Sequence, residues 1–154
     1  MEELTVGSKA PEFCLPASDG TNVSLGQFKG KKIILYFYPK DNTPACFNQA
    51  RLFSEAFDKI TGFNAVILGI SRDSASVHTK FAEKLTLPFV LLSDVDEDVC
   101  GMYDVIKDKN MYGKKVRGIE RSTFIINEYG IISHIFRKVK VANHINEVME
   151  ALCK

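Results

Sequence analysis

Across 154 residues there is no tryptophan, no C-x-x-C pair, no Cys/His grouping at zinc spacing, no long apolar run and no excess of charge of either sign. Each absence excludes a class of protein. The four cysteines, Cys14, Cys46, Cys100 and Cys153, are too few and too scattered for a disulfide scaffold and offer no structural zinc site. Twenty Lys plus Arg against nineteen Asp plus Glu leave a formal charge of +1. That balance argues against a general binder of nucleic acid or anionic membrane. No apolar stretch reaches the ~18 residues that cross a bilayer, and Met1-Glu2-Glu3-Leu4 is acidic where a secretory leader is basic. The expected compartment is therefore the reducing cytoplasm, where a cysteine of consequence is more often a reactive thiol than half of a bridge.

What is present is an ordinary globular composition, 45% hydrophobic and 25% charged, with no repeat and no linker-like stretch. A single domain over residues 1–154 is expected. Two short extended segments, Phe13–Leu15 and Asn22–Leu25, flank the turn signal Ser18-Asp19-Gly20 and predict an N-terminal hairpin. Ile33 to Tyr38 reads as a central strand buried on both faces. Thr43-Pro44 reads as a helix N-cap followed by proline at the first helical position. The helix it opens carries an apolar stripe through Cys46, Ala50, Phe53, Phe57 and Ile60.

Further on, Ala65–Ile70 and Phe89–Leu92 read as strands. Between them lies a helix capped by Ser74 that places Val77, Phe81 and Leu85 on one face. A short helix around Asp96–Tyr103, a basic loop from Lys107 to Gly118, a hairpin of Ser122–Asn127 with Ile131–Phe136, and a last helix follow. That helix carries Ile145, Val148, Met149 and Leu152. This order implies an α/β fold with a mixed sheet and helices on both faces, its site at the carboxyl end of a central strand.

Cys46 falls there. As the third helical residue after Thr43 its sulfur lies in the first turn, at the positive end of the helix dipole, where a thiolate is favoured. The plain alternative is a small core residue on an apolar stripe. The segment Tyr36-Phe37-Tyr38-Pro39-Lys40-Asp41-Asn42-Thr43-Pro44-Ala45-Cys46 decides between them, because it holds Pro39, Thr43 and Cys46 as P-x-x-x-T-x-x-C. This resembles the peroxidatic motif of the peroxiredoxins. Gly69-Ile70-Ser71, Leu92-Ser93-Asp94 and Gly118-Ile119-Glu120-Arg121-Ser122-Thr123-Phe124 extend the resemblance to the bacterioferritin-comigratory branch, also called peroxiredoxin Q.

The resemblance implies a thioredoxin-like fold and a thiol-dependent peroxidase in which Cys46 attacks the distal oxygen of a hydroperoxide and becomes a sulfenic acid. It implies that Thr43 and Arg121 hold and polarise the peroxide beside the thiolate and that Pro39 and Pro44 shape the pocket. It implies no metal or organic cofactor. Hydrogen peroxide and small organic hydroperoxides are the expected substrates, thioredoxin or another external thiol the expected donor, and a monomer the expected state. No nucleic acid or membrane partner is expected. The basic stretch Lys107–Arg117 reads as a solvated loop, and His78, His134 and His144 as surface or internally satisfied residues.

The sequence also departs from the branch. Many members have a second, resolving cysteine five positions after the first, where this chain has Arg51, and others have it on the next helix, yet Ser74–Leu85 contains none. Three routes stay open: reduction of the sulfenic acid by an external thiol, a disulfide to Cys100, or one to Cys14 or Cys153. The first is preferred, since a disulfide needs Cα atoms within about 7 Å. Ala45 and Phe47 stand where the branch commonly has Gly and Thr. A thioredoxin-type disulfide reductase is excluded by the lone Cys46, with Thr43 at the other end of the corresponding segment. The remaining alternative is a redox-inactive fold used for binding or as a holdase, against which stand Thr43, Cys46 and Arg121.

Overall fold

The computed structural model describes residues 4–41 and 43–153. Asn42 of the motif and the acidic start Met1-Glu2-Glu3 lie outside the described residues. The centre is a five-stranded mixed sheet in the order β5-β4-β3-β8-β9. β3 (Lys32–Phe37), β4 (Ala65–Ser71) and β5 (Val90–Ser93) run parallel, while β8 (Ser122–Ile126) and β9 (Ile132–Phe136) are antiparallel additions. β3 is central because its apolar residues can be buried on both sides. Ile33, Leu35 and Phe37 enter one core, and Ile34, Tyr36 and Tyr38, the last just past the strand's end, enter the other.

The two cores are covered differently. Against the first lie the N-terminal hairpin of β1 (Cys14–Pro16) and β2 (Asn22–Ser24) and the short helix α4 (Asp98–Met102), which contributes Val99 and Cys100. Against the second lie α1 (Pro44–Glu55), α2 (Phe57–Thr61), α3 (Ala75–Leu85) and α5 (Val141–Leu152). The expected stripe through Cys46, Ala50, Phe53, Phe57 and Ile60 faces the second core, buried throughout except for half-buried Phe57, although the helix divides at Ala56, whose φ of −89° and ψ of 0° bend the chain between α1 and α2.

Two expectations need correction. The stretch from Lys107 to Gly118 is no loop but a two-stranded ribbon, β6 (Ile106–Met111) with β7 (Lys114–Ile119). Tyr112 and Gly113 take φ of 54° and 79°, the left-handed pair that a two-residue hairpin turn requires. Among the described residues the ribbon pairs only with itself, and it is largely exposed, so its residues carry no apolar alternation from which a strand could be read. On α3 it is His78, not Val77, that joins Phe81 in the core; Val77 is 37% exposed and His78 fully buried. Polar partners waiting for the imidazole explain this exchange.

Gly69, in the middle of β4, shows how tightly the second core is closed. A Cβ there would lie 2.8 Å from Tyr36 Cζ and 2.8 Å from Leu91 Cδ2. Gly69→Ala is expected to cost about 1–3 kcal/mol, the usual penalty for overpacking, measured as a lower urea midpoint at unchanged slope.

Candidate active site

The loop after β3 turns at half-buried Pro39 and enters α1 through Thr43. Thr43 is extended (φ −95°, ψ 150°) and occupies the N-cap position, with Pro44 exposed as the first helical residue. Its side chain does not cap the helix; the hydroxyl donates to the Lys40 carbonyl at 3.1 Å, closing the loop on itself. That bond uses its one proton and leaves lone pairs to accept from a ligand. Cys46 follows in the first turn and is 2% exposed, walled by the second core. Half-buried Phe47 packs against the same core, and Ala45 faces outward.

Arg121 reaches this cysteine from the other side. The antiparallel register of β8 on β3 sets Ser122 opposite Phe37, so the residue before it stands at the carboxyl end of β3, where the motif loop begins. The Val139 N–H donates to the Arg121 carbonyl at 3.0 Å and fixes its backbone. The guanidinium then spans two partners: Nη2 donates to Cys46 Sγ at 3.4 Å and Nη1 to Gln49 Oε1. Gln49 lies one turn beyond Cys46 on the same helix face and is 1% exposed.

Three groups go beyond the residues singled out from the sequence. Gln49 holds the arginine fork, and its signal was present: a polar residue three positions after Cys46, on the side of an otherwise apolar stripe. Its Nε2 and the Tyr36 hydroxyl are buried without a hydrogen-bond partner among the described residues. Burial first, then the negative charges of Asp41 and Cys46, push the Tyr36 phenol well up, so its oxygen carries a proton to donate. The third group, Asp41 with His78, is treated below. His144 is buried and satisfied by Thr123 Oγ1 at 2.7 Å.

The other thiols stand elsewhere. Cys100 is fully buried in the first core, so the sheet separates it from Cys46. Packed layers lie about 10 Å apart, beyond disulfide reach. Burial, reinforced by the Asp94 carboxylate, pushes its thiol well above the usual range. Cys14 is exposed on β1, which packs by Leu15 on that same far face. Cys153 is exposed at the end of α5, nine residues past His144 and so about 14 Å farther along the helix axis. Arg51 is exposed and paired with Glu55 at 2.7 Å.

A thioredoxin-like sheet with a buried thiol in the first turn after its central strand, and a cation brought to the sulfur from the adjacent antiparallel strand, defines a thiol-based redox enzyme. Residues 6–135 match the model of the AhpC/TSA family. Peroxiredoxin Bcp of Bacillus subtilis is 44% identical over 149 residues, covering 97% of this chain and 95% of that protein. Peroxiredoxin Bcp of Escherichia coli K12 is 40% identical over 152 residues, covering 99% and 97%. Among solved structures, peroxiredoxin Q of Xylella fastidiosa, as a cysteine-to-serine mutant, superposes with a TM-score of 0.93 at 37% identity, covering 99% of this chain and 98% of that one. The bacterioferritin comigratory protein of Xanthomonas campestris, described for its alkyl peroxide reduction activity, gives 0.87 at 44% identity, covering 92% and 90%. The chain belongs to the AhpC/TSA family, in its bacterioferritin-comigratory, peroxiredoxin Q branch, and is a thiol peroxidase.

Proposed function

We propose that Cys46 is the peroxidatic thiol of a single-domain, one-cysteine peroxidase acting as a monomer in the cytoplasm on hydrogen peroxide and small organic hydroperoxides, without metal or organic cofactor. The observation that carries this is the 3.4 Å contact between Arg121 Nη2 and Cys46 Sγ in the first turn of α1. The thiolate attacks the distal peroxide oxygen, the O–O bond breaks, and the departing oxygen leaves as water or alcohol after taking a proton. Arg121 faces both the ionised sulfur and the charge that develops on oxygen, a role suited to its rigid fork of donors. Pro39 and Pro44 shape the mouth, and Thr43 contributes acceptor lone pairs. The unpartnered donors Gln49 Nε2 and Tyr36 Oη support a small oxygen-rich substrate, since each buried donor left unpaired costs about 1–3 kcal/mol. The X. campestris relative's activity on alkyl peroxides supports the organic substrates.

Recycling by an external thiol, with thioredoxin as the first candidate, is supported by the placement of the other three cysteines. A donor thiol displaces water from the sulfenic acid to form a mixed disulfide, and a second thiol releases Cys46 with formation of the donor disulfide. Mass spectrometry after one equivalent of peroxide, without reductant, is expected to show one added oxygen on Cys46. A disulfide from Cys46 to Cys100, Cys14 or Cys153 as the dominant product sinks the one-cysteine reading. Parallel turnover with thioredoxin, with glutaredoxin plus glutathione, and with a small dithiol identifies the donor.

A further inference from the structure

Over Pro39, Lys40 and Asp41 the chain has no regular structure, and among the described residues of this loop Asp41 is what ties it to the rest of the molecule. Asp41 is 2% exposed. Its Oδ1 accepts from the Tyr38 hydroxyl at 2.6 Å, its Oδ2 from His78 Nδ1 at 2.6 Å, and its N–H donates to Asp73 Oδ2 at 2.7 Å. His78, fully buried on α3, extends the tie through Nε2, which lies 3.0 Å from the Leu92 carbonyl oxygen. Asp73 in turn accepts from Ser71 Oγ at 2.7 Å. The loop is thereby fastened at once to the ends of β4 and β5 and to α3. Asp41, Asp73 and His78 bring ligand-type atoms within 4.8 Å of one another, but those atoms already hold the bonds just described, so the cluster is a fastening rather than a cation site.

The catalytic contact joins two elements whose backbones are held by different partners. Arg121 is placed by β8 pairing with β3 and by the Val139 N–H. The sulfur of Cys46 is placed by the first turn of α1, whose entry begins at Asp41, five residues earlier. Shifting the loop moves the sulfur, and Gln49 with it on α1, while the backbone of Arg121 stays where β8 and the Val139 N–H hold it. We propose that Asp41 and His78 are a pair of positioning residues for the peroxide step, acting through the loop to hold Cys46 against Arg121. A buried polar pair is a costly way to stabilise a fold, since apolar residues of similar size often do as well, and its position at the entry to α1 accounts for its presence.

The inference rests on Cys46 as the nucleophile, so Cys46→Ser belongs in the same series. Pre-reduced protein is mixed with hydrogen peroxide in a stopped-flow instrument, and the second-order rate of the first turnover is compared for parent, His78→Leu, Asp41→Ala, the double variant and His78→Asn. Each of the first two variants is expected to slow the reaction by roughly ten- to a hundredfold, the scale on which about an ångström of misplacement acts. The double variant should be no slower than the slower single, because the two residues work as one unit. His78→Asn, whose amide nitrogen can stand where Nδ1 stood, should recover most of the rate. Reduction of the sulfenic acid by a small dithiol should not slow, and hydrogen exchange should rise in the first turn of α1 rather than throughout. A purely structural pair lowers the melting temperature and leaves the rate of folded protein unchanged. Rates within about twofold of parent in folded His78→Leu, or single effects that multiply in the double variant, overturn the inference. Should His78→Leu not fold, His78→Gln against His78→Asn decides it, equal rates counting against. Peroxide consumption that survives in Cys46→Ser overturns the reading of Cys46 instead.

Discussion

Cys46→Ser is expected to abolish peroxide consumption, by more than about a thousandfold, while the protein stays folded. Serine is nearly isosteric with cysteine, so the 2% exposed site suffers little change of volume. The buried hydroxyl keeps a partner in Arg121 Nη2, which lies 3.4 Å from the sulfur it replaces. The chemistry does not survive the exchange. The reaction needs an ionised, polarisable atom that can take up oxygen and later surrender it to a thiol, and an alcohol supplies neither property at neutral pH. The check is a peroxide-consumption assay with each donor, beside a circular dichroism melt. Residual turnover at the parental rate means that another thiol is the nucleophile, and the redox-inactive holdase reading gains if parent and variant are equally silent.

The next largest effect is expected at Arg121. Arg121→Ala should lower the second-order rate with peroxide by about 10²–10³, the loss that follows removal of one donor aimed at developing charge. It also frees Gln49 Oε1, which accepts from Nη1, and leaves that buried amide without a partner at either end. A stability loss of about 1–3 kcal/mol should accompany the kinetic one. Arg121→Lys separates charge from geometry. A single ammonium can reach the sulfur or the glutamine, but it lacks the planar fork that meets both, so it should keep the charge and still lose a large part of the rate. Stopped-flow oxidation gives the rate and urea unfolding the stability. An unchanged oxidation rate in Arg121→Ala means that the contact with Cys46 has no catalytic role.

Much of the architecture was readable because its signals are local. Ile33 to Tyr38 is apolar at every position, which suits only a strand with a core on each face, and the structure places it between β4 and β8. Thr43-Pro44 marks the start of α1 because proline at the first helical position forfeits no hydrogen bond. The ribbon β6–β7 escaped the same reading: only its base, Ile106 and Ile119, meets the core, so the rest of its length has no reason to alternate, and its turn rests on Tyr112 adopting a positive φ, which no composition rule announces. The row 46-50-53-57-60 identified the face of α1 and α2 that meets the core, whereas in the row 77-81-85 on α3 Phe81 and Leu85 face the core and Val77 gives its place to His78. His78 belongs to the core because Asp41, thirty-seven positions earlier, is there to meet it.

The sequence by itself determined the candidate nucleophile, the place of Cys46 in the first helical turn, the order of the main strands and helices apart from the β6–β7 ribbon, and the absence of a cysteine at the two positions where the branch usually has its resolving one. These depend on residue type and short spacing. Only the tertiary structure decided that Arg121 meets Cys46 across seventy-five positions, that Gln49 holds the same guanidinium, and that Cys100 lies beyond the sheet from Cys46. The physical reason is that these relations are set by strand register and by which face of β3 each side chain enters. A one-residue change in the β3–β8 pairing would carry Arg121 away from the sulfur, although the motifs would read the same.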